Sequence, residues 1–240
     1  MSIAAYLSPE MQRAAGGTLR PGGLALTDRA MAVCRFAPGS HLLDLGCGPG
    51  ATLRHLSEVH AMRTWGIDRS LQMLADAARR DPHAGRLVQA SGMGIPFADR
   101  CLDGVFCECV LSLMPDPLEV LGECHRILRP AGRLVVSDLY LRRPEPQGIP
   151  MAIPGSSCLA GARDKTALLR MARDAGFTIR LWEDHTPYLT QLAVNMVFSQ
   201  GSMDWFWNFM GDGPEIRKAA CRSKPGYFLM VVIKGSNTDG

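Results

Sequence analysis

At 240 residues the chain is long enough to bury one full hydrophobic core and short for two independent domains. Its 26 Lys and Arg against 23 Asp and Glu leave a net charge of +3 with no basic run, which argues against nucleic acid as a partner. No stretch approaches the roughly 20 apolar residues of a membrane helix, and the opening MSIAAYLSPEMQRAAGG lacks the charged-then-apolar order of a secretory signal. A cytoplasmic protein with no membrane partner is expected. Cys34, Cys47, Cys101, Cys107, Cys109, Cys124, Cys158 and Cys221 follow no extracellular spacing and read as reduced thiols. Cys107-x-Cys109 lacks a second pair at metal-ligand spacing, so no metal is expected.

Ahead of the first strand, TLRPGGLALTDRAMAVC predicts a helix N-capped by Thr27 or Asp28, approached through the flexible Gly22 and Gly23. Residues 1–40 read either as a mobile lid or as an ordinary packing helix. From His41 onward apolar runs alternate with helical patterns: HLLDLG, ATLRHLSEVH, TWGID, SLQMLADAARR, LVQAS, then DGVFCEC, PLEVLGECHRIL, the turn RPAG, and RLVVSDLYL. That alternation predicts an α/β fold, a doubly wound, mostly parallel sheet with helices on both faces. After Arg143, RPEPQGIPMAIPGSS reads as an irregular crossing. A helix from about Asp164 to Ala175 is closed by Gly176, and FTIRLWED makes a strand. An apolar helical span follows from Pro187 to Met210, ending in WFWNFM, and GYFLMVVIKG is the last strand.

The chemistry starts at LLDLGCGPGA, where an apolar strand feeds a glycine-rich turn. Gly46, Gly48 and Gly50 permit positive φ and close approach of a ligand to the backbone. The turn also satisfies the dinucleotide fingerprint, so its context decides. Asp44, two residues before the first glycine, suits a cationic ligand better than a pyrophosphate. Asp68 follows 24 residues later, near the distance at which a carboxylate holds ribose hydroxyls.

LLDLGCGPG, WGIDRSLQML, IPFADRCLDGVFCECVLSLMPDP and ECHRILRPAGRLVVSD together resemble the successive motifs of class I S-adenosylmethionine-dependent methyltransferases, in the subgroup often called type 11. The resemblance covers about Leu42 to Asp138. It implies a seven-stranded sheet with an antiparallel final strand, forming a hairpin from FTIRLWED and GYFLMVVIKG, and a methyltransferase domain over residues 41–240. Residues 142–163 and 186–224 would form an acceptor-side cap. By the same resemblance S-adenosylmethionine is the cofactor. The loop Gly46, Cys47, Gly48 and Gly50 lies along its methionine part, with Asp44 near the amino group. Asp68 holds the ribose diol, Leu71 lies against the adenine, and Arg69 joins the binding set.

The family commonly has a Gly-Asp pair after strand three whose aspartate accepts from the adenine amino group. Here Ala90 and Ser91 stand in its place, leaving a neutral acceptor and the backbone of Gly92 and Met93.

Ligands of open α/β sheets lie beyond the carboxyl ends of the strands. Strand four therefore offers Cys107 on the cofactor side, with Glu108 and Cys109 as catalytic candidates, Glu108 as base or acceptor-orienting group. Asp138 ends strand five and reads as a rim candidate or as the partner of a neighbouring base, and His185 reads as an acid/base or contact group of the acceptor pocket or as a helix-capping or core residue. SSCLAGARDKTALLRMARDAGF resembles the Cys-x-x-Gly-Ala segment of arsenite methyltransferases, in which a cysteine at the position of Cys158 binds the trivalent metalloid. That family's partner thiols would fall at Leu53 and near Asn208, neither a cysteine, leaving Cys221 and Cys109 as substitutes.

The expected function is methyl transfer to a small-molecule acceptor. An arsenite or other thiophilic-metalloid acceptor engaging Cys158 is the alternative. A nicotinamide-dependent oxidoreductase and a non-catalytic cofactor- or metalloid-binding protein are the remaining readings. The WFWNFM cluster reads as pocket wall, core or the face of a homodimer.

Overall fold

A computed structural model of the chain describes residues 18, 20–81, 86–143, 158–200 and 214–235. In chain order the elements are α1 (Gly23–Cys34), β1 (His41–Leu45), α2 (Ala51–Glu58), β2 (Arg63–Asp68), α3 (Leu71–Arg80), β3 (Arg86–Gln89) and β4 (Leu102–Glu108). A single 3₁₀ turn (Leu111–Leu113) precedes α4 (Pro117–Ile127), β5 (Leu128–Leu141), β6 (Arg163–Asp164) and α5 (Lys165–Asp174). The chain continues through β7 (Phe177–Asp184), α6 (Thr186–Gln200), α7 (Pro214–Ser223) and β8 (Pro225–Lys234).

The sheet runs β3-β2-β1-β4-β5-β8-β7. Strands β1 to β5 are parallel to their neighbours, whereas β8 is antiparallel to both β5 and β7. The mostly parallel seven-stranded sheet and the terminal antiparallel hairpin match the sequence expectation. An eighth, two-residue strand, β6, pairs beside the end of β5 and was not foreseen.

Alternation along β4 explains the layering. Val105 and Cys107 face the core cluster that includes Leu43, Val120, Cys124 and Leu168. Phe106 faces the opposite cluster with Leu26, Leu42, Val135 and Tyr227. Both faces are buried, as a parallel sheet between helices requires.

Helix starts follow local chemistry in three places. Ser70 caps α3 by accepting from Met73 N–H, Asp116 caps α4 through Leu118 and Glu119, and Asp164 caps α5 through Ala167. Helix α1 departs from expectation. It begins at Gly23 behind Gly22 in a left-handed conformation, with no side-chain cap. Thr27 and Asp28 lie inside it, because burial of Leu26, Ala30 and Met31 extends the helix beyond its capping signals.

RPAG also differs from a simple turn. The register passes from Leu102↔Leu128 to Gly104↔Arg133, so the residues between bulge out of the β4–β5 ladder, with Ala131 at φ 61°. The helix expected from Pro187 to Met210 is described as far as Gln200. WFWNFM, Asn208 and residues 144–157 of the expected cap lie outside the described residues.

Lys234, at the end of β8, reaches across to α4 and donates to the carbonyls of His125 (2.6 Å) and Leu128 (2.8 Å). A cation there satisfies carbonyls that the helix end leaves open. Replacing it with Met should lower stability by about 2 kcal/mol, seen as a lower urea midpoint at unchanged slope.

Candidate active site

The glycine turn between β1 and α2 is pinned from below. Gly46 and Cys47 N–H groups both donate to the Ile67 carbonyl of β2, at 2.8 and 3.0 Å. Gly46, Gly48 and Gly50 all have positive φ, but they serve different ends. A Cβ on Gly46 would meet Val110 at 2.5 Å, and one on Gly50 would meet Ala77 at 3.2 Å, so these two are small for packing. A Cβ on Gly48 would meet nothing within 4 Å, so only here does the missing side chain leave open space beside the backbone.

Asp68 closes the turn. One carboxylate oxygen accepts from Gly48 N–H at 2.9 Å and the other from Ser70 N–H at 2.8 Å. It therefore links the glycine turn to the start of α3 while keeping lone pairs for a ligand hydroxyl. Leu71 follows with 63% exposure, an apolar side chain left uncovered at the mouth. Arg69 is exposed, and its carbonyl accepts from Gln89.

The Ser91 hydroxyl accepts from Met93 N–H at 3.2 Å, so that backbone donor is occupied. Gly92 is buried, and a Cβ on it would press on Met114 at 3.1 Å. Ser91 itself is exposed and keeps its remaining hydrogen-bonding capacity.

Behind the turn lies a concentration of buried charge. Asp44 is 4% exposed, and among the described residues no group donates a hydrogen bond to it. Burial raises its carboxyl well above the ordinary range, Glu108 and Asp68 raise it further, and Arg20 acts in the opposite sense. Glu108 accepts from Thr27 of α1 (3.1 Å) and Thr52 of α2 (2.9 Å), and pairs with the Arg20 guanidinium at 2.8 Å. Arg20 also donates to Thr27 at 2.6 Å, while its Nε is buried with no acceptor among the described residues. Three donors on one buried carboxylate make Glu108 a tie between α1, β4 and α2.

The last residue of interest on β4's exit, Cys109, adopts φ 60° and donates its N–H to Ser137 at 2.6 Å. That turn aims its thiol at Cys158. Ligand atoms of Cys109, Cys158 and Asp138 all lie within 4.8 Å of one another. Cys158, its hydrogen-bond partner, pushes the Cys109 thiol well up, and burial adds to the effect.

Asp138 accepts from Ser112 N–H and hydroxyl, both at 2.8 Å, and from Leu139 N–H at 2.7 Å. Burial nevertheless raises its carboxyl to about 6. Cys158 reaches this point because its turn docks on the 3₁₀ segment: a Cβ on Gly161 would sit 1.8 Å from the Ser112 carbonyl oxygen. Glycine in Cys-x-x-Gly-Ala is thus a requirement of close backbone approach.

Three expected site residues are placed elsewhere. The Cys107 thiol lies in the core cluster, 1% exposed, on the face away from Glu108. Cys47 is buried with Leu53 and Leu74, so only its backbone belongs to the turn. His185 pairs with Glu183 at 3.0 Å, which holds Arg29 at 2.5 Å, and stacks on Tyr188. It shares no contact with the thiol cluster among the described residues. Cys221 is exposed on α7.

Sequence reading missed Arg20, Thr27 and Thr52. Thr52, six residues after Gly46 in the first turn of the following helix, carried the only local signal, since the other two act through tertiary contact.

Residues 43–136 match a family model described as a methyltransferase domain, Methyltransf_11. An arsenite methyltransferase of Halobacterium salinarum is 31% identical over 157 residues, 61% of this chain and 39% of that protein. The 27-O-demethylrifamycin SV methyltransferase of Amycolatopsis mediterranei is 31% identical over 137 residues, 55% of this chain and 50% of that protein. The chain thus spans half or less of the length of these relatives. The [4+2]-cyclase SpnF superposes with a TM-score of 0.74 at 23% identity, covering 97% of this chain and 94% of SpnF.

Two outcomes follow from the geometry. Gly161→Ala should destabilise the chain by about 2 kcal/mol or more, because backbone must separate from backbone, and thermal unfolding would show it. The Asp138 carboxyl should titrate near pH 6 in carbon-detected NMR. Since the folded state holds this proton more tightly than the unfolded one, its contribution to stability is present below about pH 4 and lost as pH rises through 6.

Proposed function

We propose that this chain, a member of the class I S-adenosylmethionine-dependent methyltransferases, moves a methyl group from S-adenosylmethionine to a small-molecule acceptor. The observation that carries the reading is the charge of the crevice. Three carboxyl groups gather at the glycine turn: Asp68 holds Gly48 N–H, Glu108 pairs with the buried Arg20 guanidinium, and Asp44 lies buried within the charge influence of both. Such a crevice favours a cation, and a sulfonium bearing an ammonium group is one. A dinucleotide pyrophosphate would meet the same carboxylates as repulsion, which disfavours the oxidoreductase reading.

The residues fit the cofactor part by part. An ammonium group beside buried Asp44 would restore its ionised form. Arg20 stays engaged with Glu108 and Thr27 and holds the inner wall of the crevice. Asp68 has acceptor capacity for a diol, Gly48 leaves room for the chain, and exposed Leu71 offers apolar contact to a purine face. The bound cofactor supplies an electrophilic methyl group and a neutral thioether leaving group.

What the protein contributes is alignment of donor and acceptor and exclusion of water. Glu108 serves by fixing α1 and α2 around the turn. A proton leaving the acceptor has Asp138 as its nearest buried carboxylate on the thiol side, with a value near 6 that suits transfer at neutral pH.

A second reading has its own observation: the Cys109 and Cys158 thiols converge although the expected partners at Leu53 and Asn208 are not cysteines. A thiophilic trivalent acceptor would find two sulfur ligands there. Small organic acceptors remain the principal reading, because two thiols fall short of three.

Calorimetry with S-adenosylhomocysteine should show binding that Asp68→Ala weakens about tenfold or more, the order expected from losing a charge-assisted hydrogen bond. Binding of NADH in its place would overturn the proposal. Labelled-methyl transfer to a panel of organic acceptors and to arsenite separates the two acceptor classes. Loss of arsenite turnover alone in Cys158→Ser would select the second.

A further inference from the structure

We propose that Asp28, His55 and His60 form a surface site for a divalent transition-metal ion of the zinc class, and that the bound ion clamps α1 onto α2. The three residues come from separate places: mid-α1, the second half of α2, and the turn just beyond it. Their ligand atoms all lie within 4.8 Å of one another. Both imidazole Nε2 atoms point at one oxygen, Asp28 Oδ1, at 2.5 Å from His55 and 2.7 Å from His60. The rings stand edge to face, centroids 5.2 Å apart, so their nitrogens converge without stacking.

Two imidazoles and a carboxylate are a donor set that zinc accepts with a water as fourth ligand. In a tetrahedron with ligand bonds of about 2.0–2.2 Å, donors sit roughly 3.3 Å apart, so insertion of an ion asks only for a small opening of the present contacts. Access is available, because the Asp28 side chain is 50% exposed and those of His55 and His60 are 14% and 24% exposed.

The position gives the site a consequence. Asp28 follows Thr27, and His55 lies one helical turn after Thr52. Thr27 and Thr52 are the two hydroxyls that hold Glu108 in the interior. The same two helices are thus joined twice, inside by a buried carboxylate and outside by the Asp28 cluster. An ion at the outer junction would resist separation of α1 from the glycine turn's helix, and this holds whatever reaction the crevice performs.

The test uses the full chain, stripped with a chelator and titrated with Zn²⁺ by calorimetry at neutral pH. One ion per chain should bind, and His55→Ala, His60→Ala and Asp28→Asn should each weaken it about tenfold or more. Asp28 is half exposed and the two histidines lie at the rim of the α1–α2 contact, so circular dichroism of each variant should stay native. Co²⁺ in place of zinc should give a spectrum without thiolate charge-transfer bands, and zinc should slow amide exchange in α1 of the parent chain only. Unchanged zinc affinity in the His55→Ala/His60→Ala double variant would refute the site. So would Co²⁺ bands of sulfur ligation that vanish with Cys109→Ser, since the ion would then sit at the thiols. Binding without slower exchange in α1 would overturn the clamp.

Discussion

The Arg20–Glu108 pair is the interaction on which the site depends. Glu108 ends β4 in the middle of the sheet, where a carboxylate without partners would be prohibitively costly to bury. Its three donors arrive from the segment before α1, from α1 and from α2. The cost of burying the charge is met only when all three elements are in place. Docking of the N-terminal segment and shaping of the glycine turn are therefore one event. Removing Arg20 would leave Glu108 beside Asp44 and Asp68 with nothing to oppose the repulsion, so the cation that organises the fold also sets the potential of the crevice.

The thiol side is organised differently, by backbone. Cys109 takes a left-handed turn to leave β4, and Gly161 lets the Cys158 turn lie against the Ser112 carbonyl. Asp138 holds Ser112 through both its N–H and its hydroxyl. The two cysteines meet because two close approaches happen to share Ser112 as their anchor. The result is a buried sulfur that holds its proton tightly next to a carboxyl that burial raises to about 6, an environment unlike the Arg20–Glu108 ion pair beside it on β4.

One strand thus carries two chemistries. The fold alone does not choose between them. Selection falls to the groups at the strand ends, where successive residues Cys107, Glu108 and Cys109 point into the core, the charged crevice and the thiol cluster respectively.

Local patterning sufficed for much of this molecule. Alternating apolar runs specify the strands, Ser70, Asp116 and Asp164 specify helix starts, and the spacing from Asp44 through the glycines to Asp68 specifies a ligand turn. These are properties of neighbouring residues, and short-range physics is written in short-range sequence. The start of α1, the excursion at RPAG and the roles of Arg20, Thr27 and Cys107 were not legible, because each is settled by a partner far along the chain. Thr27 and Glu108 are 81 residues apart, and Asp28 and His60 are 32 apart. By itself the sequence determined the sheet, the glycine turn and its two aspartates. Only the tertiary structure decided that Glu108 ties three elements together, that Cys158 finds Cys109, and that two histidines share one carboxylate, since burial and distance between remote residues exist only once the chain has closed upon itself.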